Sequence, residues 1–571
     1  MLMSHPHPQT RPPPAESLWL LSALVALAVL LVFANCLPNA FVWDDEQFVV
    51  KNVFLTSPKF LPKLLTENVV AGAGVHSNLY RPLQSLTHFL DVQLWGFRPW
   101  GHHLSSIVFH VASSVAVFRL LASLSFAWPA AMATALFALH PLQSEAVAYV
   151  CGRGDSLAIL FICLGLLSFR NHGWLSLCFA ALAMASKEHA AIFPALLFLY
   201  DRAGQHPSPF RRHLPFWLLS AAYATARLTV LNFGDTLNFY HQPNLLTEHW
   251  PFRLYTYLTT LPKGLLLWFW PADLHHERSW SVATSLTSPR VWLSLLVVAV
   301  LLSTAVRLRK RALPAAIGIG FFFVATIPTS NLFVLINALF YDHWFLLPGV
   351  GLVIAVSHAL SRIWVGPTGR RRAAVAAGCL AIIVLSGLTW HHNRIWRSPL
   401  TLYTHLLSWE PHSAKIHHNL AMAYADAGQT AQAIPLYQQA IALSDEYPHT
   451  HYNLANAYLT LGQEDRAVEE LKRALAIDPT FYHALLRLGS IDLRHHQLTE
   501  AATAFEQALR SYPYAAEAYL GLAQIRLAQG DSRAALAILQ SGLDALPHHP
   551  ALQDALGHLQ TLPGSDGRRS P

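Results

Sequence analysis

Charge is what this sequence has least of. Asp, Glu, Lys and Arg make up 12% of its 571 residues, about half the share of a soluble globular protein, which excludes a chain solvated over its whole surface. Cysteine is sparse too. The five (Cys36, Cys151, Cys163, Cys178 and Cys379) lie in or beside apolar runs. They form neither a paired metal-ligand spacing nor a disulfide framework, so redox chemistry is not indicated. No GxGxxG follows a strand-like segment, which argues against the nucleotide pocket of a soluble nucleotide-sugar transferase. The basic residues are dispersed rather than gathered on one surface, so the net charge of +7 does not describe a nucleic-acid partner.

Apolar residues are abundant, at 53%. Several runs approach or exceed the ~18–20 residues that cross about 30 Å of hydrocarbon. The first, Ser17 to Leu37, is preceded by Arg11 as its only basic side chain, which weighs against a cleaved signal peptide. Three basic loops, Arg202 to Arg212, Arg307 to Arg311 and Arg370 to Arg372, mark the cytoplasmic side. About eleven crossings then satisfy the pattern: 17–37, 101–124, 128–147, 155–170, 173–186, 188–200, 213–231, 291–306, 312–330, 343–362 and 372–390. The chain starts inside and delivers its C-terminal third outside. A further apolar segment, 253–270, would put the basic loops on opposite sides if it crossed. Pro262-Lys263-Gly264 interrupts it, so it is expected as a re-entrant or broken helix, covered by protein or lining a cavity.

Beyond Trp409 the periodicity changes. Leu420, Leu454, Leu488, Leu522 and Leu556 recur every 34 residues; Ala433, Ala467, Ala501 and Ala535 keep the same interval, as do Ala440, Ala474 and Ala508. Gly428, Gly462 and Gly530 share one position, with His496 in the third unit. This is the tetratricopeptide pattern of helix-turn-helix units, small where the helices pack closely. The fold expected is all-α: a polytopic helical membrane domain followed by an α-solenoid. Its parts are a cytoplasmic tail at 1–16, the membrane domain at 17–391 with outer loops at 38–100 and 232–290, and a linker at 392–413. Four repeats follow at 414–549 (414–447, 448–481, 482–515, 516–549), then a capping helix and disordered tail at 550–571.

The few acids stand out against this background. Asp44 and Asp45 follow the first span in Val42-Trp43-Asp44-Asp45-Glu46. With Glu145, Arg153, Asp155, Lys187, Glu188, Asp273, Glu277 and Asp342 they fall at or near outer ends of spans. A charge at such depth costs up to roughly 2.5–3.5 kcal/mol unless paired or functional, so one outer ionic cluster is expected. The 32 histidines include isolated pairs such as His102-His103, His275-His276 and His391-His392. Their spacing is not that of ligand sets, and they read as compositional bias rather than metal sites.

Several segments together resemble the transmembrane-and-tetratricopeptide-containing protein O-mannosyltransferases, of the GT-C class of glycosyltransferases. They are Val42-Trp43-Asp44-Asp45 with Asn52, Tyr80-Arg81-Pro82-Leu83, His140-Pro141-Leu142 with Glu145-Ala146-Val147, Gly152-Arg153 with Asp155, Ser186-Lys187-Glu188 and Pro271-Ala272-Asp273-Leu274. A late outer loop departs from the family: Asp342 and His343, in Tyr341-Asp342-His343-Trp344, stand where a Glu-Arg pair is usual. The short chain and few repeats resemble a bacterial member. The resemblance implies an inner-membrane enzyme with its repeats on the periplasmic or extracellular side. It would move a sugar, mannose or another hexose, from a polyprenyl-phosphate carrier to a protein or peptide acceptor that contacts the repeat groove. Such a transfer needs a carboxylate base and cations on the leaving phosphate. Asp45 is read as the base with Asp44 as its orienting partner, the order being open. Arg81, Arg153 and Lys187 are read as phosphate ligands, and His140, Glu145, Asp155, Glu188, Asp273, Asp342 and His343 as ordering or sugar-contacting groups. No cofactor is required, although Asp44-Asp45 could hold a divalent cation against a phosphate. Two other readings stay open: a non-catalytic membrane scaffold whose repeats recruit proteins, and a transporter for a lipid-linked sugar.

Overall fold

The computed structural model describes residues 15–75, 77–204, 207–233, 244–336 and 338–561. Most of the expected tail at 1–16, the segment Gly564 to Pro571 and part of the 232–290 loop lie outside the described residues. Among the described residues every regular element is a helix. The chain divides into two compact units, residues 1–406 and 407–571.

In the first unit six helices are long and apolar enough to cross a membrane: Ser17–Cys36, Pro99–Leu124, Val150–Ser168, Pro289–Leu308, Asp342–Trp364 and Thr368–Arg397. Ala127–Ala138, Gly173–Ser186 and Leu313–Thr329 are apolar but shorter. The protein is a multi-pass membrane protein. Several expected crossings take a different local form. The segment 128–147 divides into Ala127–Ala138 and Gln143–Ala148, because Pro141 disfavours helical backbone at His140. The Nδ1 of His140 there accepts the Leu142 N–H at 3.2 Å. The segment 188–200 is a 3₁₀ turn, Glu188–Ile192, followed by the ten-residue helix Phe193–Arg202.

The segment expected to be broken at Pro262 is one continuous helix, Trp250–Phe269, with Pro262 inside it. Proline there removes one intrahelical hydrogen bond, a cost near 3 kcal/mol. Tertiary contacts hold the helix through the lesion. The Phe345 ring packs so closely on Gly264 that an added Cβ would lie 1.9 Å from it. Trp268 Nε1 donates to the Phe345 carbonyl at 3.0 Å, and Trp280 Nε1 to Thr259 Oγ1 at 3.1 Å.

The second unit is built from helix pairs: Ala414–Asp426 with Thr430–Leu443, Pro448–Thr460 with Glu464–Ile477, Tyr482–Arg494 with Leu498–Ser511, and Ala516–Ala528 with Ser532–Ala545. The helix Pro550–Thr561 follows them. Ala433, Ala467, Ala501 and Ala535 are fully buried, since only a methyl fits between the paired helices. At the turn inside each pair the backbone is left-handed: Gly428 (φ 75°), Gly462 (φ 71°) and Gly530 (φ 79°), with His496 (φ 60°) in the third pair. Glycine adopts that conformation without a Cβ clash, and histidine does not.

Candidate active site

The loop after the first long helix begins with a bulky residue in a left-handed conformation, Trp43 at φ 55°, a rare geometry for a side chain of this size. Three contacts hold it. The Trp43 N–H donates to Tyr403 Oη at 3.0 Å; its ring meets His276 edge-on at 4.8 Å and leans on Tyr403 at 5.7 Å. The chain then enters one turn of π-helix, Glu46–Val50, in which the Asp44 carbonyl accepts the Gln47 and Phe48 N–H groups.

The two aspartates before this turn meet different surroundings. Asp45 is fully buried: Oδ1 accepts the Cys151 N–H at 2.8 Å and Oδ2 the Val42 N–H at 3.1 Å. Burial pushes its carboxyl up to about 6, against the opposing pull of the hydrogen bonds from Cys151 and Val42. Asp44 is exposed, and its carboxylate has no partner among the described residues. The Cys151 N–H reaches Asp45 because Val150–Gly152 lies directly on the helix Gln143–Ala148. A Cβ at Gly152 would stand 2.2 Å from the Glu145 carbonyl oxygen.

Four basic side chains pair with other acids of the first unit. Arg81 Nε contacts both oxygens of Glu188, at 3.1 and 3.0 Å, while its two Nη groups have no partner among the described residues. Lys187 Nζ meets Asp155 Oδ2 at 2.6 Å. Lys263 Nζ meets Asp273 Oδ2 at 2.5 Å. Arg278 reaches Asp342 Oδ1 through Nε at 3.1 Å and Asp273 Oδ2 through Nη1 at 3.4 Å. Burial alone would raise Asp273, but Lys263 and Arg278 hold it below the usual carboxylate range. Glu145 differs from these acids: His276 Nδ1 lies 2.6 Å from its Oε1, and His343 Nδ1 contacts the same oxygen. Tyr149 lies within electrostatic reach of Asp44, Asp45 and Glu145 together, and Asp155 within reach of His343. The acids thus form one connected set.

Two sequence-predicted ligands stand apart from it. Arg153 is fully buried with its Nη1 2.5 Å from Asp91 and its Nη2 on the His102 carbonyl at 2.8 Å. His140 contacts the Trp268 carbonyl at 3.2 Å and shapes the bend at Pro141. Conversely, His276, Arg278, Lys263 and Tyr149 enter the set although sequence reasoning passed them over. His275-His276 resembled the other histidine pairs. Arg278 is adjacent to Glu277, which drew attention as an acid, and an arginine two residues from a histidine in an outer loop was the available signal. Neither Asp44 nor Asp45 belongs, among the described residues, to a cluster of three convergent metal-ligand atoms.

Comparison with known proteins agrees with this architecture. Tetratricopeptide repeat models match residues 424–489 and 486–550. Human protein O-mannosyl-transferase TMTC1 is 27% identical over 488 residues, covering 74% of this chain and 55% of the relative. A protein O-mannosyl-transferase of Caenorhabditis elegans is 24% identical over 447 residues, covering 74% and 62%. Mouse protein O-mannosyl-transferase TMTC4 is 27% identical over 496 residues, covering 73% and 65%. The chain spans 55% to 65% of the length of these relatives. The chain is thus similar in sequence to TMTC protein O-mannosyl-transferases, and it has membrane-length apolar helices followed by tetratricopeptide repeats.

Proposed function

We propose that this protein is a membrane glycosyltransferase that moves a hexose from a polyprenyl-phosphate carrier to a hydroxyl of a protein acceptor. The reaction is placed at the outer face of a bacterial inner membrane, with the repeats on that side holding acceptor or partner. The observation that carries the reading is the division of labour between the two aspartates. Asp44 is exposed and unpartnered at the rim of the acid set, so Asp44 is assigned as the base and Asp45 as the residue that positions it. This reverses the order read from sequence. Asp45 has both oxygens committed to backbone N–H groups and no route to an acceptor.

In the transfer, Asp44 takes the proton of the acceptor hydroxyl as its oxygen bonds to the sugar's anomeric carbon. The bond from that carbon to the phosphate oxygen breaks, and the phosphate leaves with the electron pair. An oxocarbenium-like sugar between these events is stabilised by the leaving anion's neutralisation. Arg81 suits that role: Glu188 holds it through Nε and leaves the Nη fork free, the planar donor pattern that matches a phosphate. Lys187, steadied by Asp155, supplies a second charge, and Asp273, Asp342 and Arg278 order the far wall.

Asp44→Asn keeps the size of the side chain but removes its basicity. Transfer should fall about 10²–10⁴-fold, the usual contribution of a general base, with membrane insertion unchanged. The measurement is mass spectrometry of exported proteins from cells carrying each variant, scored for the missing hexose. Full transfer by a well-folded Asp44→Asn protein excludes Asp44 as the base.

A further inference from the structure

We propose that Glu145, His276 and His343 form a binding site for one divalent transition-metal ion of the zinc class. The three ligand atoms come from distant parts of the chain, 131 and 198 residues from Glu145, yet all lie within 4.8 Å of one another. His276 and His343 both aim Nδ1 at the same carboxylate oxygen. Tetrahedral metal–ligand bonds of about 2.0–2.2 Å set neighbouring ligand atoms about 3.3–3.5 Å apart, so these contacts would open by roughly 0.7–1 Å through rotation of the Glu145 carboxylate and the two imidazoles.

Charge balance favours a cation here. Every other acid of the set apart from the two loop aspartates has a guanidinium or ammonium: Glu188 has Arg81, Asp155 has Lys187, Asp273 has Lys263 and Asp342 has Arg278. Glu145, buried, faces two imidazoles and no lysine or arginine among the described residues. A buried carboxylate without a compensating positive charge is costly. Two imidazoliums would repel one another, since the rings lie stacked with centroids 6.2 Å apart. A single imidazolium would also neutralise the carboxylate, whereas one divalent ion does so while accounting for both Nδ1 atoms converging on the same oxygen.

The rings are also held in place. Tyr341 stacks on His276 at 5.5 Å and on His343 at 5.3 Å, and the edges of Trp43 and Trp396 close on His276 at 4.8 and 5.7 Å. Two imidazoles and one carboxylate suit zinc, iron(II) or manganese, and three protein ligands leave a coordination position open, as in catalytic rather than structural sites. A second convergent trio, His88, Asp91 and His102, does not qualify: the Arg153 guanidinium already neutralises Asp91 at 2.5 Å. The ion's role, binding a phosphate oxygen at its open position, rests on the transferase reading. Its presence does not.

The test uses the full chain purified in detergent, stripped with a chelator and then offered Zn²⁺ or Co²⁺ with no sugar donor present. About one metal per chain by elemental analysis is expected, with visible cobalt absorption bands. Glu145→Gln and the double variant His276→Asn with His343→Asn should lose the bands and at least tenfold in affinity. Asp44→Asn should retain both, which separates this site from the assigned base. Failure of the stripped wild-type chain to take up metal at micromolar Zn²⁺ overturns the proposal. Undiminished uptake by the double variant does so as well, by tracing the metal to other histidines. Should the double variant not fold, Glu145→Gln alone decides.

Discussion

A left-handed backbone at Trp43 turns two neighbouring aspartates to different fates. Buried Asp45 ties the loop to Cys151, while Asp44 is left to the surface. The two groups should therefore respond to substitution differently. Asp45, with its carboxyl pushed up to about 6 by burial, accepts both N–H groups most strongly when ionised. Transfer should fall as pH drops through about 6, by roughly tenfold per unit well below it, and Asp45→Asn should flatten that limb. Its effect on stability has the opposite sign. An acid whose native value is raised binds its proton more tightly when folded. This contribution to stability is complete below the unfolded value and lost as pH rises through about 6. A pH–rate profile and a pH series of thermal melts read the two effects separately. At this scale the acids stand out in the sequence because charge is rare in an apolar chain. Their partners do not. Arg153 looked like a phosphate ligand and is spent on Asp91, while Arg278 looked like nothing and holds Asp342. Pairing depends on which distant segments meet, and no local pattern records that.

Elements follow local rules until packing outweighs them. Pro262 should end a helix by its own chemistry, yet Trp250–Phe269 runs through it because Phe345, Trp268 and Trp280 secure both sides. Contacts of that kind are invisible in a single sequence. The repeats show the reverse case. Their 34-residue phase was legible since one small residue, one leucine and one turn glycine recur in register, each demanded by the same geometry in every unit. The exception is itself informative. His496 occupies the left-handed turn position that glycine fills at Gly428, Gly462 and Gly530, at a cost of roughly 1–2 kcal/mol for a side chain there. His496→Gly should raise the unfolding free energy of the repeat unit by about 1 kcal/mol, read from a denaturant titration. A fall in stability would mean that the imidazole makes a contact worth more than the strain.

For the molecule as a whole, the two compact units have separate cores. Residues 407–571 bury their own alanine and leucine layers, and repeat stacks gain stability from neighbour to neighbour. A protein comprising residues 407–571 alone should be helical and melt cooperatively. Removing the helix Pro550–Thr561 takes away the buried Leu552 and Leu559 and uncovers Leu539 and Leu546, which belong to the same core cluster. At about 1.5–3 kcal/mol per side chain, the midpoint should drop clearly in a circular-dichroism melt, and an unchanged midpoint would refute the capping role. The membrane unit's general class was readable from its long apolar runs. The division of its shorter segments was not, because bends such as the one at Pro141 depend on backbone constraints that average hydrophobicity ignores. One stitch in that unit has a consequence for biogenesis. The loop aspartates leave the ribosome 106 residues ahead of the Cys151 amide that anchors Asp45. Until the Val150–Ser168 helix has inserted and docked, Asp45 lacks its Cys151 anchor, so the proposed transfer would begin only with correct assembly and a half-made chain would stay inert.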